Sequence, residues 1–235
     1  MKKFHQASEK GFTIIELMIA TAVLSTILLL VTVLMINIGN LYYKGINQAR
    51  VQDNVRSITD EVVQHLQLGD TLVPADTDHH GPNGEHAYCI GSTRYTYFIG
   101  TQIDQPAPGS SAPVFQHVLW RDDNPDPASC DATGVNLTDS SPTTGRHGAE
   151  LIAPRSRLMQ FAIDGTSPYN ISIGVAYGDD DLLCSPVVTD SCKRNAPPMT
   201  QFSDFAHGSL LCKDSDASQF CSTAGLDTTV VRRLP

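Results

Sequence analysis

Residues 17–36 carry no charged side chain, and Glu16 stands at the head of this 20-residue run. At about 1.5 Å per residue a helix of that length measures about 30 Å, the thickness of bilayer hydrocarbon. The run therefore belongs to a discarded export signal, to a retained anchor, or to a segment that is cut at one point and reused. It exceeds the 7–15 apolar residues of a secretory signal, and no small-residue cleavage site cleanly follows it. Lys2, Lys3 and Lys10 precede it and net negative charge follows it, which orients the N-terminus to the cytoplasm. A plain anchor leaves Glu16 unexplained. A carboxylate inside an apolar run costs roughly 2.5–3.5 kcal/mol at mid-helix, and less near the interface.

The surrounding residues supply a purpose. Gly11-Phe12-Thr13-Ile14-Ile15-Glu16-Leu17 resembles the processing site of type IV prepilins and type II secretion pseudopilins: a short basic leader ending in Gly, then Phe, then Glu as fifth residue of the mature chain. The resemblance implies that a prepilin peptidase cuts after Gly11 on the cytoplasmic side and methylates the new amine of Phe12. It also implies that Glu16 neutralises the Phe12 amine of an adjacent subunit in a filament, a pairing that makes a buried carboxylate tolerable. It covers residues 10–41. Many major pilins carry a helix-breaking Pro within the stem, whereas here the first Pro is Pro74. Gly39 and Gly45 are milder weak points, each about 1 kcal/mol worse than Ala in a helix, and are candidate bend sites.

Beyond Gly45 the pattern turns amphipathic. Val51, Val55, Ile58, Val62 and Leu66 step by three or four, with Gln52, Asp53, Arg56, Asp60 and Gln64 on other faces. One helix over residues 13–68, roughly 80 Å long at about 1.5 Å per residue, is expected, with Gly69 as its C-cap. Its apolar stripe should lie on a sheet. Strands are expected at 87–90, 94–103, 114–121, 158–163 and 169–177, with the odd positions of the last facing the helix and a further edge strand at 228–234. Residues 122–148 and 185–198 read as long loops.

Six cysteines, Cys89, Cys130, Cys184, Cys192, Cys212 and Cys221, all follow the apolar run and form no C-x-x-C pair. That pattern indicates up to three disulfides in an oxidising, extracytoplasmic place. Fifteen connectivities exist in principle. Short separations favour Cys184 with Cys192 and Cys212 with Cys221, leaving Cys89 with Cys130.

The formal charge is −9, and the leader through Gly11 holds three of the 16 basic residues but only one of the 25 acids. The acidity thus belongs to the remainder, which argues against a nucleic-acid surface. No nucleophile–base pair, P-loop or dinucleotide fingerprint is found, so no enzyme is expected. Two polar clusters merit weighing as metal ligands. His79, His80, Glu85 and His86 sit in a Pro/Gly-rich stretch without fixed geometry. Asp179, Asp180 and Asp181, with Asp190 nearby, offer oxygen ligands for Ca²⁺, which the resemblance makes worth noting because some pseudopilins bind Ca²⁺ in their distal domain; the spacing matches no EF-hand, and three adjacent Asp more often form a polar turn, which is the reading adopted. Apart from this Ca²⁺ candidate no cofactor is expected. Trp120, beside Phe115 and Val118, reads as core or half-buried strand.

The expected fold is α+β and pilin-like: a long N-terminal helix, apolar then amphipathic, packed on an antiparallel β-sheet with disulfide-tied loops. Its expected parts are a leader (1–11), a transmembrane or filament-core helix half (12–38), an amphipathic continuation (39–69) and an extracytoplasmic β-rich domain (70–235). The resemblance implies a minor pilin or pseudopilin, most like larger minor pilins and J-type pseudopilins because of the large, cysteine-rich distal region. Its implied partners are other subunits, the prepilin peptidase, an inner-membrane assembly platform and, before assembly, the membrane. Its implied location is the cytoplasmic membrane, then a cell-surface or periplasmic filament. The alternative is a single-pass surface adhesin that never polymerises.

Overall fold

A computed structural model describes residues 11–68, 71–73, 81–106, 114–124, 130–143, 147–184, 192, 210–213 and 218–233. Gly69, Pro74, His79, His80, Asp190 and most of 185–198 lie outside them. The chain divides into two compact units, Met1–Tyr42 and Tyr43–Pro235.

The first unit is helical. Helix α1 spans Ile14–Gln67, begins in this unit and runs unbroken through Gly39 and Gly45. Its apolar part is exposed over its whole circumference, from Ile14 to Tyr42, and is long and apolar enough to cross a membrane. The few polar side chains in the run are satisfied within the helix. The hydroxyls of Thr21, Ser25, Thr26 and Thr32 donate to the carbonyls of Met18, Thr21, Val23 and Leu28 at 2.7–3.0 Å. Back-bonding of this kind lets Ser and Thr enter an apolar medium without an orphaned hydroxyl.

In the second unit the remainder of α1 buries one stripe, Val51, Val55, Ile58, Val62 and Leu66. Each such side chain contributes about 1.5–3 kcal/mol by leaving water, so the five together stabilise the docking by roughly 10 kcal/mol as an upper bound. Twelve strands follow: β1 (Leu72–Val73), β2 (His86–Ile90), β3 (Thr93–Tyr97), β4 (Gln105–Pro106), β5 (Val114–Phe115), β6 (Leu119–Asp123), β7 (Gly148–Glu150), β8 (Ser156–Asp164), β9 (Tyr169–Tyr177), β10 (Leu183–Cys184), β11 (Leu211–Cys212) and β12 (Ser222–Val230). All described pairings are antiparallel. They build a five-stranded sheet ordered β1-β2-β3-β6-β7, a three-stranded sheet ordered β12-β9-β8, and two small pairs, β4-β5 and β10-β11.

The single sheet expected from the sequence is thus replaced by two principal sheets sharing one core with the helix. In that core Phe161 of β8 meets Tyr88, Tyr95 and Tyr97 of the larger sheet at ring-centroid distances of 5.7, 6.1 and 5.1 Å, and the inward residues Tyr169, Ile171, Ile173 and Val175 of β9 join the helix stripe. The division has a local cause. The strand expected over 94–103 stops at Tyr97, because Gly100 takes a φ of 86° and its amide donates to Leu158 of β8 instead. Only glycine reaches that backbone region without steric cost. The strand expected over 114–121 is split for a related reason: the amides of Gln116 and His117 both donate to the Leu137 carbonyl, leaving no ladder between β5 and β6.

The last strand is also longer and earlier than expected. It pairs with β9 along its whole length, from Ser222 opposite Tyr177 to Val230 opposite Tyr169. Its outward residues, Thr223, Gly225, Asp227 and Thr229, are small or polar, which hides the strand in a search for apolar runs. Disulfides join Cys89 to Cys130, Cys184 to Cys192 and Cys212 to Cys221. Arg94 reinforces the first by donating to both Asp122 oxygens at 3.0 and 2.7 Å and to the Asp131 carbonyl at 3.0 Å.

Candidate functional site

The candidate site is the entry to α1. Thr13 precedes the first helical residue and caps it. Its hydroxyl accepts from the Glu16 amide at 3.3 Å, while the Glu16 carboxylate accepts from the Thr13 amide at 3.0 Å and from the Thr13 hydroxyl at 2.8 Å. This reciprocal Thr-x-x-Glu arrangement is a capping box, which satisfies two amides that a helix start otherwise leaves without partners. Glu16 also places negative charge in the first turn, where the helix dipole favours it. The sequence reading gave Glu16 a partner in another subunit and overlooked Thr13. The T-x-x-E spacing ahead of an apolar run was the available signal.

Gly11 and Phe12 precede the cap in an unstructured, exposed stretch, with Phe12 85% exposed. A Cβ built on Gly11 has no atom within 4 Å, and the residue's φ is not in the left-handed region. Nothing within the described fold therefore requires glycine at this position. A cut between Gly11 and Phe12 would create a cationic amine one residue before the Thr13 amide that Glu16 already accepts from.

The other sequence candidates resolve differently. The acidic triplet does not converge on one point: Asp180 pairs with Arg157, Asp179 with Arg155 at 3.5 Å, and Asp181 attracts Lys213. Arg157 is 2% exposed. Its guanidinium also donates to the carbonyls of Gly100 and Gly178 at 3.2 Å each. Burial lowers the basicity of Arg157, and Asp180 and then Asp179 oppose that shift. Three neighbouring carboxylates thus answer three separate cations, and among the described residues no group of three or more His, Cys, Asp or Glu is placed to hold a metal ion.

Glu85 is fully buried, accepting from the Asn83 amide at 2.7 Å, the Asn83 side chain at 2.9 Å and the Leu137 amide at 3.4 Å. His86 stacks on Tyr97 at 5.7 Å. Trp120 lies in a buried cluster with Phe98, Phe115, Val135 and Leu137, its indole against His117 at 4.4 Å, and so belongs to the core.

Residues 6–32 match the family described as the prokaryotic N-terminal methylation motif, the signature shared by type IV prepilins and pseudopilins. The match contains Gly11, Phe12, Thr13 and Glu16. No curated protein and no solved structure matches the chain.

Proposed function

We propose that this chain is a minor pilin or pseudopilin, cut by a prepilin peptidase between Gly11 and Phe12, methylated on Phe12, and assembled through α1 into a type IV pilus-like or type II secretion filament. The observation that carries the reading is the coincidence of the methylation motif with a helix apolar around its whole circumference, which then becomes amphipathic where it docks on a β-rich, disulfide-bonded domain. A helix apolar on every side needs either lipid or other helices around it, and a filament core supplies the second after a membrane has supplied the first. Residues 70–235 form the extracytoplasmic part, displayed at or near the filament tip. The role is structural. In the filament, Glu16 exchanges its intrachain contacts with Thr13 for the Phe12 amine of a neighbouring subunit.

The direct test is the N-terminus of the mature protein purified from membranes. Mass spectrometry should find a chain starting at N-methylated Phe12, and a start at Met1 sinks the proposal. Gly11→Leu is the matched control. Since a Cβ added at Gly11 meets no described atom within 4 Å, the variant should fold like the parent yet accumulate as full-length precursor.

A further inference from the structure

The three-stranded sheet ends in a long strand with a neighbour on one side only. β12 pairs with β9 from Ser222 to Val230 without a register shift, and among the described residues no backbone group pairs with its other edge. Alternate residues of such an edge turn an unpaired N–H and C=O outward, a ready template for another chain. The other described sheets end in strands of two or three residues. The opposite edge of the same sheet is obstructed. β8 carries a register shift between Leu158 and Gln160, its Leu158 carbonyl accepts from the Gly100 amide at 2.8 Å, and Gln102 bridges to Arg157. Proteins blunt exposed edges by shortening, bulging or covering them, or with Lys and Pro. β12 has none of these devices, since residues 222–230 hold no Lys, Arg or Pro and a single charge, Asp227.

The two faces of this edge differ. Toward the core, Ala224, Leu226 and Thr228 are half-buried, and Ala224 and Leu226 pack against the shared core. A strand laid beside them would complete that layer with apolar side chains. The outer row is Thr223, Gly225, Asp227 and Thr229. Gly225 stands directly opposite Gly174 of β9. Two absent side chains next to each other leave a depression of about 190 Å³, whose lining includes Gln160, Gly174, Leu210, Thr223, Gly225 and Asp227. The fold itself does not ask for glycine at 225: its φ lies outside the left-handed region, and an added Cβ would meet only the Ile173 carbonyl oxygen, at 3.8 Å. Glycine inside a strand weakens it and often marks the close approach of another chain. An aromatic ring on a neighbouring strand can cover such a glycine.

We propose that the free edge of β12 is a docking site for an extended segment of a different protein, which joins the sheet as a further strand. The outer row sets the chemistry of that segment. An aromatic side chain opposite Gly225 fills the depression, a Lys or Arg opposite Asp227 answers its carboxylate, and the residue between them is apolar and faces Leu226. The partner therefore carries an aromatic, an apolar and a basic residue in succession, in an order set by its strand direction. A second copy of this chain does not fit. The one long, unobstructed edge among its described strands is its own β12, which holds neither an aromatic nor a cation.

The test uses the full mature chain in detergent micelles and follows amide hydrogen exchange of residues 222–230 by mass spectrometry. The probe is the synthetic peptide Thr-Val-Lys-Val-Tyr-Val-Thr, which in antiparallel register sets Lys opposite Asp227 and Tyr opposite Gly225. At about ten times its Kd the peptide should slow the outward β12 amides about tenfold, and leave β1 and β7 unchanged. A control peptide interrupted by two adjacent prolines loses a ladder donor in either register and should have no effect. Asp227→Lys should weaken the probe about two- to fivefold and favour a peptide with Glu in place of Lys, a swap that a folding defect would not produce. Gly225→Thr should weaken it by a similar factor without lowering the urea midpoint, since the position has room. No slowing at millimolar peptide overturns the proposal, as does equal slowing by the proline control. Outward β12 amides that are already slow without peptide would mean that the chain covers its own edge, and that too overturns it. Slowing that grows with protein concentration alone would assign the edge to a second copy and refute the choice of a different protein.

Discussion

Equivalent truncations in the two parts of α1 should have unequal consequences. Ile58 is 1% exposed and packs into the core shared by helix and sheets, whereas Ile27, in the same helix, is 50% exposed. Ile58→Ala removes three buried carbons, about 2.4 kcal/mol at roughly 0.8 kcal/mol each, and leaves a cavity that raises the loss toward the 2–5 kcal/mol range of such substitutions. Alanine returns about 0.4 kcal/mol of helix propensity, so the net loss is about 3 kcal/mol. Ile27→Ala gains the same propensity and leaves no cavity in the β-rich domain, so that domain should be unaffected.

The assay is urea denaturation of the mature chain in detergent micelles, followed by the fluorescence of the single Trp120. With a urea slope of about 2 kcal/mol/M, Ile58→Ala should lower the midpoint by about 1.5 M, and Ile27→Ala should leave it within about 0.2 M of the parent. Equal shifts for both variants would refute the division of the helix into a part exposed on every side and a core-facing part. A near-zero shift for Ile58→Ala would refute its burial under the sheets.

Four further outcomes are expected. Glu16→Ala loses half of the capping box and the acidic group at the stem entrance, so it should insert and be cleaved yet incorporate poorly into filaments; normal incorporation, measured by shearing and immunoblotting, would refute the pairing role. Replacing Cys89 and Cys130 with Ser opens a loop of 41 residues and should cost about 4 kcal/mol in the chain-entropy account, read as a lowered urea midpoint under non-reducing conditions. Gly148→Ala drives a methyl group into the Trp120 indole and should cost about 1–3 kcal/mol with altered Trp fluorescence, whereas unchanged stability and emission would mean that Trp120 does not lie on Gly148. Burial, and then Tyr88, push the Tyr97 phenol above its ordinary value. The folded state therefore keeps its proton where the unfolded state loses it, and stability should fall as pH rises past about 10, a loss that Tyr97→Phe should reduce.

Sequence and structure agree where one segment's environment is uniform. The helix expected over 13–68 is observed as Ile14–Gln67, because an unbroken apolar run followed by one buried stripe at helical spacing is a pattern that the chain itself displays. The strand expected at 169–177 is observed as Tyr169–Tyr177, since the helix-facing residues Tyr169, Ile171, Ile173 and Val175 alternate with smaller or more polar ones. Agreement is lost where a residue's partner is remote. Gly100 reads as a strand residue until its amide is seen to bond Leu158, and β12 is misplaced because it is recognised by its pairing with β9 rather than by its own composition.

Charged residues follow the same division. Glu16 stands out in the sequence because the run beside it lacks other charge, while its capping partner Thr13, three residues away, is seen only in the structure. The arrangement of Asp179, Asp180 and Asp181 is not legible, since three adjacent carboxylates have one appearance in sequence whether they gather around a cation or disperse to separate ones. Their cationic partners, Arg155, Arg157 and Lys213, arrive from the approach to β8, from β8 itself and from the segment following β11. Removing any one cation should therefore disturb a different contact: Arg157→Met strips the carbonyls of Gly100 and Gly178 of a buried donor, while Arg155→Met loosens only an exposed pair worth about 0–1 kcal/mol. A shared cation site would instead make the three carboxylates respond together.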